Sequence, residues 1–128
     1  MATKISSKQL ARLAILETFP PKFDQIHRAI EEMASLRADE SVGRRLARKL
    51  DEMKAAAQSI GEGAVAESCG VMAMLARRSG GLQMRVRGLR ENFGGLKVNF
   101  EGAMKAATRE EDKEQVDESD LPGATPSP

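Results

Sequence analysis

The chain has 128 residues, enough for one domain, and its composition excludes several classes of protein. Charged residues make up 30%, and the apolar residues are aliphatic or Met, with no Trp, no Tyr and four Phe. A single Cys excludes an internal disulfide, and with a single His it disfavours a zinc site. No apolar run reaches the length of a membrane span, and the N-terminus lacks the apolar core of a signal peptide. We therefore expect a cytoplasmic protein, also nuclear if the cell is eukaryotic, with no membrane contact, metal or cofactor.

The net charge of +1 hides an uneven distribution of charge along the chain. Residues 1–108 contain 18 Lys or Arg and 12 Asp or Glu, a net charge of +6. Residues 109–128 contain 2 and 7, a net charge of −5. A basic body can bind nucleic acid or an acidic protein surface. Because neither an aromatic platform for single strands nor a nucleic-acid motif accompanies the charge, nucleic-acid binding is disfavoured.

Apolar residues at alternating steps of three and four predict amphipathic helices along the chain. Ser6 or Ser7 caps the first helix, and the sequence Phe19-Pro20-Pro21 separates it from the second. Glycines end the third and fourth helices. The predicted helices span about residues 7–17, 21–36, 41–60, 62–78 and 82–108.

The last predicted helix has the most regular apolar seam, which continues through Gly94-Gly95, where we expect the helix to weaken or bend. After Thr108 the periodicity stops, and the acidic, then Pro- and Ser-containing segment 109–128 is predicted to be a disordered tail. Four long helices with one-sided seams and short loops predict an all-α fold. We expect an antiparallel four-helix bundle over residues 1–108, with the short N-terminal helix added to it.

The third predicted helix carries a carboxylate among guanidinium groups on the side opposite its seam. At 100° per residue, Asp51 lies about 145° from the centre of the apolar stripe. Arg44, Arg48, Ala55 and Gln58 lie on the same side. The plainest interpretation is a solvated helix face with weak pairs between residues three or four apart.

Other chemistry-bearing residues indicate no catalytic site. His27 follows the seam position of the second helix, which makes it a surface or boundary residue. Cys69 lies on the buried stripe of the fourth helix, where a small core side chain is expected. The glycine pairs follow no strand and precede no Lys-Ser/Thr ending, so they are not phosphate loops. No nucleophile and base can be grouped, and we predict that the protein is not an enzyme.

The run DEMKAAAQSIGEGAVAESC, residues 51–69, resembles the core of the histidine-containing phosphotransfer (HPt) family, most closely its plant and fungal type. The family motif is His-x-x-Lys-Gly, then small residues, an Ile/Leu-Gly pair and an apolar helix that often bears Cys. Lys54 stands at the motif lysine, Ile60-Gly61 at the pair, and Cys69 in the following helix. The likeness extends over about residues 19–104 and implies the family's four-helix bundle.

Two departures from the family pattern fall at the centre of the motif. Asp51 stands where the family has its phosphoryl-accepting histidine. The glycine of the family motif leaves room for the partner, and Ala55 replaces it in this chain. The resemblance therefore implies a non-catalytic pseudo-phosphotransfer protein. It would bind receiver domains of response regulators or hybrid histidine kinases, as a monomer or weak dimer. The predicted partner-binding residues are Arg44, Arg48, Asp51, Lys54, Ala55 and Gln58.

Three alternatives stay open at the level of sequence. Asp51 can imitate a phosphorylated histidine, or it can repel the acidic receiver pocket unless magnesium is bound there. The chain can instead be an active phosphocarrier that uses His27 or Asp51 as the acceptor. It can also be a helical adaptor or oligomerisation module unrelated to phosphorelay.

Overall fold

The computed structural model describes residues 6–35, 40–78 and 80–120, with side chains as far as residue 109. These residues form helices and no strand. The helices are α1 (Ser7–Leu16), α2 (Phe19–Ala34), α3 (Glu40–Ser59), α4 (Gly63–Arg77) and α5 (Leu82–Asp120). The closest packing joins α3 to α4 and α4 to α5, while α2 contacts α3 and α5. The predicted all-α bundle with a short additional N-terminal helix is confirmed.

The short helix α1 is attached to the second half of α5 through a polar side chain. Ser6 and Gln9 form a reciprocal capping box at its first turn. Gln9 is also buried, and its Nε2 donates a hydrogen bond of 3.2 Å to the carbonyl oxygen of Ala107. Leu10, by contrast, is 56% exposed. The contact with Ala107 therefore places α1 beside α5 and orients the polar residue inward.

Helix α2 begins at Phe19, two residues before the predicted start. Pro20 and Pro21 are accommodated in its first turn, where backbone N–H groups have no acceptor within the helix. Phe19 is fully buried and stacks on Phe100 of α5, with ring centroids 5.8 Å apart. Phe23 also contacts Phe100, edge to face, at 5.1 Å. Aromatic contacts thus join α2 to α5 inside the bundle.

Helix α5 passes through Gly94-Gly95 without a break, and both glycines are exposed. Ala107 is the last buried residue among those whose side chains the structure describes, and the helix continues to Asp120. The first part of the predicted acidic tail, residues 109–120, is therefore helical. Residues 121–128 lie outside the described part of the chain, and their disorder stays a prediction.

Close packing of α3 on α4 depends on a glycine and a buried arginine. A Cβ atom added to Gly43 would lie 2.6 Å from the carbonyl oxygen of Ala76. Arg85, at the start of α5, is 7% exposed and donates hydrogen bonds to the carbonyl oxygens of Leu75 (3.1 Å) and Ala76 (2.8 Å). These are among the carbonyls at the end of α4 that have no partner within the helix. The first turn of α3, the end of α4 and the start of α5 are thus held together.

No helix in the described part of the chain has both the length and the apolar character needed to cross a membrane.

Candidate functional site

The predicted partner-binding residues all lie on α3, and all except the half-buried Lys54 lie opposite its buried seam. Arg44, Arg48, Ala55 and Gln58 are exposed. The side chain of Asp51 is 44% exposed, so the carboxylate lies at the surface rather than in the core. The seam on the other side of the helix is buried: Val42, Leu46, Leu50, Met53 and Ala57. The periodicity of the sequence therefore predicted correctly which side of α3 is buried and which is exposed.

The carboxylate of Asp51 is paired with a residue that the sequence analysis did not single out. Arg77, in the last turn of α4, donates a hydrogen bond from Nη2 to Asp51 Oδ2 and forms an ion pair with it. The Arg77 side chain is 51% exposed, so this pair also lies at the surface. An arginine in the last turn of a helix is common, because the helix dipole stabilises a positive charge there. Its position in the sequence therefore does not indicate that it pairs with a carboxylate 26 residues away.

Three guanidinium groups surround one surface depression between α3 and α4. Arg44, Arg48 and Arg77 line it. Among the described residues, neither Arg44 nor Arg48 makes an ion pair or a hydrogen bond. Three positive charges thus face one carboxylate, that of Asp51, and the excess of positive charge attracts anions. We call Arg44, Arg48, Arg77 and Asp51 the arginine depression.

Two of the predicted residues lie apart from the arginine depression. The Lys54 side chain runs across Gly70 of α4, where an added Cβ would lie 3.4 Å from Lys54 Nζ and 3.5 Å from its Cδ. Gln58 lines a separate depression with Lys8 and Arg12 of α1. The predicted face is thus divided, with its positive charge concentrated in the first half of α3.

The remaining titratable candidates do not form a reactive group. Cys69 is fully buried, and desolvation by that burial raises the pKa of its thiol to about 11. The thiol is therefore protonated at neutral pH and serves as a small core side chain. His27 is exposed on α2. Within the described ranges, no three His, Cys, Asp or Glu residues are grouped in a way that could hold a metal ion.

The chain matches no protein-family model, no curated protein and no solved structure. Membership of the HPt family therefore stays a prediction that depends on the motif at residues 51–69.

Proposed function

We propose that this protein is a non-catalytic, HPt-like regulator of phosphorelay signalling that binds receiver domains. The observation that supports this most strongly is the position of Asp51. At the place of the family's acceptor histidine, the chain carries a carboxylate that is exposed on the outer side of a bundle helix. A partner that docks on this helix can reach position 51, but it meets a negatively charged group in place of an imidazole.

The surroundings of Asp51 support binding without phosphoryl transfer. A phosphoryl acceptor must act as a nucleophile. The guanidinium of Arg77 binds Oδ2 of Asp51 and draws electron density from the carboxylate, which weakens it as a nucleophile although lone pairs remain on both oxygens. This ion pair also offsets the negative charge of Asp51, which reduces its repulsion of an acidic pocket.

Charge complementarity favours a receiver domain as the partner. The phosphorylatable pocket of a receiver is acidic and binds magnesium, whereas the arginine depression has an excess of positive charge. Complementary surfaces of this kind accelerate association and orient the partners. Their contribution falls as salt is added, because exposed charges are screened beyond about 8 Å at physiological ionic strength.

We expect the full chain to bind at least one member of a panel of receiver domains, measured by isothermal titration calorimetry. The double variant Arg44→Glu/Arg48→Glu should weaken that binding by at least about tenfold, because it reverses the charge of the surface facing the receiver. The matched control is Arg87→Glu/Lys105→Glu, which makes the same change of charge at exposed positions of α5. A panel without any binder would contradict the proposal and favour an adaptor unrelated to phosphorelay. Equal losses in both variants would show that only net charge matters.

We also expect the wild-type chain to take no stable label from a phosphorylated receiver. The variant Asp51→His/Ala55→Gly should gain a label that is lost in acid, as phosphohistidine is, because it places an imidazole at the exposed position and restores room beside it. Asp51→Asn serves as a control that removes the charge without adding a nucleophile. Label on the wild-type chain that resists acid and is released by hydroxylamine would instead identify Asp51 as an active acceptor.

A further inference from the structure

The arginine depression contains more positive charge than the protein itself balances. Arg44 and Arg48 are one turn apart on α3, and like charges at this spacing repel each other on a helix. Arg77 approaches from α4 and lines the same depression. One carboxylate, that of Asp51, is paired within this group, and it contacts Arg77. Among these four residues, three guanidinium groups face one carboxylate, which leaves an excess of two positive charges.

The buried Arg85 offsets negative charge that would otherwise lower this positive potential. The carbonyl end of a helix carries partial negative charge, and the end of α4 is close to the depression. Here the buried Arg85 donates to the carbonyl oxygens of Leu75 and Ala76, which offsets that negative end. The close approach at Gly43, next to Arg44 in the chain, brings the first turn of α3 against the carbonyl of Ala76 and beside the guanidinium of Arg85.

We propose that Arg44, Arg48 and Arg77 form a phosphoryl-binding site, and that Asp51 is an internal competitor for it. A phosphoryl group carries a charge of about −1.5 to −2 at neutral pH and three acceptor oxygens, which matches the local excess of charge. Guanidinium groups bind such oxygens in pairs through their planar array of donors. Binding is non-covalent, with no bond made or broken.

The phosphoryl group in question is one carried by the protein partner, and this part of the inference rests on the proposed function. The receiver's phosphorylated aspartate would present its phosphoryl oxygens to the arginine depression. Arg77 then exchanges the carboxylate of Asp51 for the more highly charged phosphoryl group. The chain would therefore bind the phosphorylated form of its receiver more tightly than the unphosphorylated form.

The site itself is tested by nuclear magnetic resonance, titrating the full chain with inorganic phosphate at constant ionic strength. We expect saturable shifts at Arg44, Arg48 and Arg77. Removing one opposing charge with Asp51→Asn should tighten binding about fivefold. The control Glu101→Gln removes the same charge from an exposed position of α5 and should change affinity less than twofold. Shifts that do not saturate, or equal changes in the two variants, would overturn the site.

The source of the phosphoryl group is tested with a receiver domain, with and without magnesium and beryllofluoride, which mimics aspartyl phosphate. We expect the beryllofluoride form to bind at least about fivefold more tightly to the wild-type chain, and Arg77→Gln to remove most of that preference. Equal binding of both forms would overturn the inferred preference while the proposed function stands. If the chain binds inorganic phosphate saturably but binds no receiver domain, the proposed function would be wrong, whereas the phosphoryl-binding site would be confirmed.

Discussion

The Phe19→Ala variant is expected to lose about 3–5 kcal/mol of unfolding free energy, the range typical of removing a buried aromatic ring. Phe19 is fully buried, stacked on Phe100 and in edge contact with Phe23 at 6.1 Å. Its loss leaves a cavity where α2 meets α5. Domains of this size have total stabilities of about 5–15 kcal/mol, so the variant should be marginally folded. Urea denaturation followed by far-UV circular dichroism measures the change, because the chain has no Trp or Tyr for fluorescence.

The control for Phe19 is Val98→Ala on α5, where the side chain is 66% exposed. This variant should change stability by less than about 0.5 kcal/mol, as surface substitutions commonly do. Similar losses in the two variants would mean that Phe19 is not part of the core. The two variants also bear on the binding surface, because neither position belongs to the arginine depression. A receiver-binding defect in Val98→Ala would enlarge the proposed interface beyond α3 and α4.

The Gly43→Ala variant should be destabilised by about 1–2 kcal/mol, although alanine is the better helix former. Helix propensity alone would favour alanine by about 1 kcal/mol. The added methyl group would lie 2.6 Å from the carbonyl oxygen of Ala76 and 3.2 Å from Nη2 of Arg85. This carbonyl is part of the backbone of α4 and cannot rotate away as a side chain could, so α3 and α4 must move apart. Overpacking of this kind lowers the unfolding free energy by about 1–3 kcal/mol. Thermal unfolding followed by circular dichroism measures the result.

The matched control is Gly102→Ala on α5, where no atom lies within 4 Å of the added methyl group. Here the change in helix propensity is unopposed, and stability should rise by about 0.5–1 kcal/mol. A loss of stability in Gly43→Ala together with a gain in Gly102→Ala would show that the destabilisation comes from the close approach of α3 to α4 at Gly43. A stabilised Gly43→Ala variant would mean that the two helices pack less tightly than the structure indicates.

Gly43 also connects stability to the candidate site. The turn of α3 that contains Gly43 leads directly into Arg44 and Arg48, while Arg77 ends the helix that Gly43 contacts. Moving α3 away from α4 would change the spacing of the three guanidinium groups. The geometry of the arginine depression therefore depends on Gly43, although Gly43 has no side chain that could contact a partner.

Periodicity in the sequence was sufficient to predict the number and order of the helices and the orientation of α3, but not the extension of α5 to Asp120. Spacing of Val42, Leu46, Leu50 and Met53 at three and four residues specifies one buried stripe, because a helix turns by about 100° per residue. The same geometry places Arg48 and Asp51 on the opposite, exposed side. Gly94-Gly95 weakened the prediction for α5, yet the helix is continuous because the flanking seam residues Leu89, Phe93 and Leu96 are buried against the bundle.

Contacts between distant parts of the chain could be decided only by the tertiary structure. Arg77 meets Asp51, Arg85 holds the end of α4, and Gln9 reaches Ala107 because side chains of different helices meet where those helices pack side by side. Local patterns specify which face of a helix is apolar, but they carry no information about which polar groups a neighbouring helix brings alongside. The sequence by itself determined the exposed carboxylate at position 51, and the packing of α4 on α3 determined the guanidinium that pairs with it.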